Sequence, residues 1–464
     1  MTQTASSGLD ELRTAMVGAA LLPGDPGYDD ARSIWNGEID RRPAVIARCE
    51  SGADVVAAVG FAQRAGLEIA VRGGGHAFSG SSVCEGGLMI DLSRLRGVRV
   101  DPDRRRAVVG GGATLADLDA ATQAHGLAVP SGVISHTGVG GLTLGGGMGW
   151  LTNKHGLSID NLQAAQVVLA DGRVVRASAD EHPDLFWALR GGGGNFGVVT
   201  EFEFRAHPIG PLVHLALLFW GLDQGREALR ACRDTIPTLP EGTSAVIAVG
   251  LSAPDAPFVS ERYRRTSGHA LMVVGFGSAR DHARAIAPLR HACPPRFEFV
   301  TPIPYTGLQQ MLDDTAPWGI RAYEKGLDLD ELTDDAITVL VEQAGNKPSP
   351  ESYIPMARLS GAFSRVPDED TAFGGSRSPH YVINIEAAST DPERMVAGRA
   401  WVRSTWEALR PLARTSGSYV NFMAELDHDR VRAAYGAKYD LLAAVKRTYD
   451  PGNVFHRNIN IKPA

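Results

Sequence analysis

Val71-Arg72-Gly73-Gly74-Gly75-His76-Ala77-Phe78-Ser79-Gly80 is the stretch around which the chain is organised. A hydrophobic run, Leu67 to Val71 with Glu68 its one charged member, precedes the glycines and predicts a buried strand. The consecutive glycines permit φ > 0 and let backbone N–H groups approach a ligand that a Cβ would hold off. Such a turn suits a phosphate, and an imidazole at its exit suits a covalently held cofactor. For His76 taken by itself, a histidine hydrogen-bonded within a turn is the competing reading.

Outward from this turn, Arg42 to Cys49 predicts a short strand, and residues up to about Asn36 a helical, peripheral lead-in. Ser51-Gly52-Ala53-Asp54 predicts a capping box before an amphipathic helix from Val55 to Ala65. Strand, helix and strand make a βαβ unit with parallel pairing. Gly87 to Leu92, Val98 to Val100 and Ala107 to Val109 predict further strands, and Thr114 to Asp117 caps a helix running to about His125.

A second glycine cluster runs from Pro130 to Gly149, with so much glycine that ligand-hugging backbone rather than helix or strand is expected. Ala170-Asp171-Gly172 predicts a hairpin between strands at Gln163 to Leu169 and Arg173 to Ala177. A short helix, Pro183 to Leu189, leads to a third cluster, Gly191 to Gly194, and a strand, Val198 to Phe204. Gly192-Gly193-Gly194-Asn195-Phe196-Gly197 matches G-x-G-x-x-G, but a dinucleotide fingerprint needs strand, glycines, helix; here helix precedes and strand follows. No cluster ends in Gly-Lys-Ser/Thr, so a P-loop is excluded. Glycine-rich backbone without lysine suits a pyrophosphate that is held rather than hydrolysed, hence a large dinucleotide cofactor.

Beyond Pro211 glycine thins out. Strands at Leu212 to Trp220, Ser244 to Leu251, Ala270 to Phe276, Tyr353 to Phe363 and Tyr381 to Ala387 alternate with helices near Gly225 to Thr235, Ala279 to Ala292, Thr333 to Ala344 and Pro392 to Leu409. This predicts an antiparallel sheet backed by helices. Gly417 to Met423 predicts a strand with Tyr419 and Asn421 on one side, Asp429 to Tyr449 a helix, and the rest an extended tail.

At 464 residues, 44% hydrophobic, more than one domain is expected. A net charge of −7 with scattered basic residues offers nothing to nucleic acid or an anionic membrane. The polar start and the absence of a long apolar run predict a cytoplasmic protein without a membrane span. Cys49, Cys84, Cys232 and Cys293 lie far apart, which disfavours zinc and a disulfide framework. Without H-E-x-x-H or G-x-S-x-G, metal and serine hydrolysis have no foothold.

Arg72 to His76, Pro130 to Gly149, Asp184 to Thr200 and the tail from Tyr449 to Ile461 together resemble the flavin-linked oxidases of the vanillyl-alcohol-oxidase superfamily, in its berberine-bridge-enzyme-like branch. Within that branch the chain resembles bacterial hydroxynicotine oxidases and secondary-metabolite tailoring oxidases. The resemblance implies an α+β fold: an N-terminal helical segment (1–41), a PCMH-type FAD-binding domain (42–208), a substrate domain (209–415) and a C-terminal segment returning to the flavin domain (416–464).

It further implies FAD attached covalently through His76. A second link from a cysteine occurs in many relatives, and the matching position here is Ile134, so attachment through His76 alone is expected. Arg72, Gly73, Gly74, Gly75, Ser79 and Gly80 around that histidine are expected to hold the cofactor. So are Ser135, His136, Thr137, Gly138, Gly141, Gly145, Gly146 and Gly149 of the second cluster, with Gly197, Val199, Asn458 and Asn460. For His136 a loop histidine without chemistry is the other reading. Thr137 falls where relatives set oxygen access, which favours an oxidase over a dehydrogenase with another acceptor. Tyr419 and Asn421 match a Tyr-x-Asn pattern used in catalysis, the alternative being a half-buried sheet face. The stretch Leu359 to Arg365, where relatives carry a carboxylate base, has none. The resemblance implies hydride removal from a small aromatic, alcohol, amine or polyketide-type secondary metabolite with reduction of O2; expected partners are that small-molecule substrate and O2, with the chain a monomer or a homodimer.

Overall fold

The computed structural model describes residues 3–415 and 417–464. The starting points of the first and last segments expected above, residues 1 and 416, lie outside the described residues.

The opening stretch ends a small sheet. Strands β1 (Ala19–Leu21), β2 (Val45–Arg48), β3 (Ile69–Arg72) and β4 (Leu88–Asp91) lie in the order β1-β2-β4-β3. The βαβ unit is parallel as expected, but β4 sits between β2 and β3 and is parallel to both. The intervening helix, Gly52–Ala65, is capped by Ser51, whose side chain accepts from the Asp54 N–H. Asp54 does not close the box. Its carboxylate accepts instead from the N–H groups of Val17, Gly18 and Glu50, tying the N-terminal segment to the helix start. That segment is not peripheral: β1 pairs with β2, and Trp35 stacks on His76 with ring centroids 5.0 Å apart.

A second, antiparallel sheet follows from β5 (Val98–Asp101), β6 (Arg106–Gly110), β8 (Leu162–Val168), β9 (Val174–Ser178) and β10 (Val198–Arg205), in the order β5-β6-β10-β8-β9; the short β7 (Leu127–Ala128) and β11 (His207–Pro208) pair separately. Its core, with Phe196, Phe202 and Leu189, takes in Val420, Leu442 and Ile461 from the far end of the chain. Lys446, fully buried on the helix Tyr439–Tyr449, secures that return by donating to the carbonyls of Asn195 and Phe455 and to the Asp450 carboxylate.

The third sheet has seven antiparallel strands, β12 (Leu212–Gly221), β13 (Ser244–Ser252), β14 (Ser267–Gly275), β15 (Phe297–Pro304), β16 (Arg321–Leu329), β17 (Ile354–Leu359) and β18 (His380–Ser389), ordered β15-β12-β14-β13-β17-β18-β16. The period of two divides its faces. Leu218, Leu271 and Ile383 pack with Leu229, Ile286, Ile337 and Val402 of the backing helices, while Leu217, Met272 and Val382 face a cavity.

Four expectations change. The second glycine cluster contains a helix, Val139–Gly145. A Cβ on Gly145 would collide with the Asn421 amide, and one on Gly140 would press on the Gly111 carbonyl, so glycine there serves close packing of a helix. The strand expected to run to Phe363 stops at Leu359, because Gly361 turns the chain at φ 60° against Asn153 and a short helix, Ala362–Arg365, begins. Gly417 to Met423 is not a strand: Val420–Phe422 form a 3-10 turn and only Met423 bridges to Lys325. The helix Asp429 to Tyr449 is broken at Gly436, φ 52°. Strands β15 and β16 were not anticipated.

Candidate active site

A cavity of about 1060 Å³ runs from the first and second glycine clusters to the open face of the seven-stranded sheet. Gly73, Gly74, Gly75, His76 and Ser79 line it from the first turn; Ile134, Thr137, Gly138, Gly141, Gly145 and Gly149 from the second cluster; Gly197, Val199 and Asn458 from the third cluster and the tail; Tyr419 and Asn421 from the 3-10 turn. The fold thus gathers most of the expected residues, distant in sequence, around one space.

Six expected residues do not line it. Arg72 turns away, donating to the Ala31 carbonyl at 2.8 Å and standing 3.8 Å from buried Asp91. Gly80 makes its turn against Ile39, and Gly146 packs on Phe373 and Tyr419. Ser135 is engaged by Asp313, which accepts from its N–H at 2.7 Å and its hydroxyl at 2.6 Å. Asn460, in the tail, has its side-chain oxygen buried and unbonded. His136 stands behind His76 rather than in the cavity wall: its Nδ1 is 2.6 Å from His76 Nε2.

His76 is built into an aromatic box. Trp35 stacks on one face and Trp318 meets the ring edge-on at 6.0 Å. Burial, reinforced by neighbouring His136, pushes its pKa down to about 3. The imidazole is therefore neutral and keeps a lone pair, which attachment to an electrophilic carbon requires. Burial also lowers His136. Two neutral imidazoles sharing one hydrogen bond have coupled tautomers, and the second-cluster histidine holds the first ring in place.

The residues fit a dinucleotide. The first and second clusters meet backbone to backbone, since a Cβ on Gly74 would collide with Gly138 and one on Gly138 with Gly74. Gly141 and Gly194 face open space where a side chain would intrude. Asn458, which lines the cavity, donates to the Gly194 and Phe455 carbonyls while its side-chain oxygen is buried without a donor. Bound there, FAD would be held by these loops and by His76, and would supply two-electron redox chemistry.

Tyr419 is buried, and its hydroxyl accepts from the Gly147 N–H and from Asn421 Nδ2, both at 2.8 Å. Burial raises its pKa to about 12 against these donors. No cation is bonded to it among the described residues, so Tyr419 is suited to donate a hydrogen bond, not to take a proton at neutral pH. Asn421 also donates to the Leu142 carbonyl at 3.0 Å, which makes it the clamp that holds Tyr419 against the second cluster.

One group escaped the sequence reading. Glu386, on β18, lines the cavity at 9% exposure, and burial lifts its pKa to about 7. The strand Tyr381 to Ala387 was legible, but an acidic residue in an apolar strand carries no motif. Among the described residues no group of His, Cys, Asp and Glu is placed to hold a metal, and none of the described helices is long and apolar enough to cross a membrane.

Residues 43–178 match the "FAD binding domain" family model and residues 418–462 the "Berberine and berberine like" model. The chain is 31% identical to (R)-6-hydroxynicotine oxidase of Paenarthrobacter nicotinovorans, over 96% of this chain and 97% of that one. It is 28% identical to an FAD-linked oxidoreductase of Dictyostelium discoideum, over 98% and 97%. Among solved structures, 6-hydroxy-D-nicotine oxidase from Arthrobacter nicotinovorans superposes with TM-score 0.86 at 27% identity, covering 97% of this chain and 98% of that one. Glucooligosaccharide oxidase from Acremonium strictum, described with a 6-S-cysteinyl, 8α-N1-histidyl FAD, gives 0.82 at 26%, covering 99% of each chain. With the glycine cradle, the buried histidine and the returning tail in place, the chain belongs to the berberine-bridge-enzyme-like FAD-linked oxidoreductases of the vanillyl-alcohol-oxidase superfamily.

Proposed function

We propose that the protein is an oxidase carrying FAD on His76 alone, which takes hydride from a small organic substrate lying on the seven-stranded sheet and passes the electrons to O2. The observation that carries this reading is the placement of a neutral, aromatic-boxed His76 at the junction of a glycine cradle and an apolar sheet face. Single attachment is supported at the second cluster. Ile134 lines the cavity where a thiol would be needed, and Cys49, Cys84, Cys232 and Cys293 are buried elsewhere. Thr137, small and polar on the cavity wall, leaves room for oxygen. Within the site the chain's own groups divide the work. Tyr419 offers a hydrogen bond from a position clamped by Asn421, and the aliphatic floor of the sheet excludes water.

The test is a denaturing gel viewed under ultraviolet light, followed by peroxide release in air. A fluorescent band in wild type and none in His76→Ala is the expected pair of results. A band surviving in His76→Ala overturns the attachment. Reduced enzyme that stays bleached in air overturns the oxidase in favour of a dehydrogenase with another acceptor.

A further inference from the structure

The cavity face of β18 reads Val382, Asn384, Glu386, Ala388. Val382 packs in the cluster of Tyr419, and Ala388 in the cluster of Trp35, the ring stacked on His76. Glu386 therefore lies on the sheet between the two groups that bracket the reacting space. On the same side, the strands next along offer mainly apolar groups, Pro355 and Ala357 on β17, Val246 and Ala248 on β13 and Met272 on β14, with the hydroxyls of Ser244 and Ser252 at the two ends of β13.

A carboxylate in that setting needs a partner. Glu386 is nine-tenths buried, and its side-chain oxygens meet no donor among the described residues. Its cross-strand neighbour on β16 is Glu324, completely buried, which accepts from Asn384 Nδ2 at 2.7 Å through one oxygen while the other is unbonded. The Asn384 side-chain oxygen is likewise buried and unbonded. From the end of β17, Tyr353 is bridged to the Glu386 backbone but brings no positive charge. Arg358, the cation of that strand, pairs with Tyr381 and lies roughly 16 Å further along at about 3.3 Å per residue. On the opposite wall His76 is neutral. Two carboxyl groups thus occupy paired positions on adjacent strands without a counter-charge, and burial favours the protonated form of each until a cation arrives.

We propose that Glu386 is the recognition site for an ammonium group on an otherwise apolar, aromatic-sized substrate, so that the oxidase acts on amines. This rests on the flavin-oxidase reading of the cavity. A protonated amine supplies the missing charge and hydrogen-bond donors for Glu386, while its hydrocarbon body covers the aliphatic floor. On binding, the proton held by the Glu386 carboxyl is released to solvent. Glu324 and Asn384 are positioning residues, acting through Glu386.

Isothermal titration of the flavin-loaded protein under anaerobic conditions, with phenethylamine and its uncharged counterpart phenethyl alcohol, separates the alternatives. In wild type the amine should bind about tenfold more tightly than the alcohol or better. The heat should vary with buffer ionisation enthalpy, reporting proton release. In Glu386→Gln that preference should vanish, with visible flavin spectrum and melting temperature unchanged. Should Glu386→Gln fail to fold, wild type alone decides. Its amine affinity should rise from about pH 6 to about pH 8, as the carboxyl group loses its proton while the amine keeps its own. Equal affinity for the two compounds, no binding of either, a preference that survives Glu386→Gln, or a pH-independent amine affinity overturns the proposal. Loss of the flavin spectrum in wild type would instead count against the flavin-oxidase reading.

Discussion

His76 Nε2 and His136 Nδ1 lie 2.6 Å apart, joining the first glycine turn to the second cluster through a hydrogen bond between residues 60 apart in sequence. A neutral imidazole has one donor and one acceptor nitrogen, so the bond couples the two tautomers, and with His76 Nε2 as donor its Nδ1 keeps the lone pair.

Replacing His136 with alanine should therefore slow flavin attachment without abolishing it. A lost hydrogen bond of roughly 1 kcal/mol corresponds to about a fivefold slower step. Acid precipitation of the apoprotein at intervals after adding FAD, scored by fluorescence of the pellet, measures it; attachment at the wild-type rate would remove His136 from this role.

Tyr419 receives the Gly147 N–H and the Asn421 amide on one hydroxyl. Tyr419→Phe leaves both donors buried and unpaired, so stability should fall by about 1–3 kcal/mol. Flavin reduction should slow by about tenfold or more, while the gel band stays fluorescent. Stopped-flow reduction and thermal melting read the two effects separately.

Lys446 and Asp450 are both fully buried, 2.6 Å apart, and the ammonium also caps two carbonyls. Lys446→Met strands the carboxylate. Its expected cost is about 3–5 kcal/mol in denaturant unfolding, with faster proteolysis of the tail from Asp450 onward.

Glu425 gathers Tyr323, Lys325, Arg403 and Arg430. Burial alone would raise its pKa, but the hydrogen bonds from Tyr323, Lys325 and Arg403 hold it down at about 2. A depressed carboxylate stabilises the folded state above its unfolded pKa of about 4.3, and that contribution is lost as pH falls through about 2. Melting temperature against pH should therefore show a smaller acid-induced drop below about pH 4.3 in Glu425→Gln than in wild type. Superimposable curves would remove Glu425 from the acid response.

Local rules carried much of the reading. The Asp171-Gly172 hairpin, the Thr114–Asp117 capping box and the helix beginning at Pro183 stand where turn, cap and proline chemistry place them. The alternation of Tyr419 and Asn421 misled because two side chains can share a side in a 3-10 turn as well as in a strand; the bond between them, not a sheet, sets their direction. Glycine in the second cluster was legible as close approach, but what approaches is often protein: Gly74 against Gly138, Gly145 against Asn421.

From the sequence by itself came the glycine cradle, His76 and Ile134, the fold class and the kinship, because each resides in a short run of residue types whose chemistry is local. Only the tertiary structure decided that His136 supports His76 from behind, that Ser135 belongs to Asp313, and that Glu386 faces the cavity opposite them. Those facts depend on strand register and on contacts between residues 60 and 178 positions apart, where burial and charge are set by neighbours that no local pattern names.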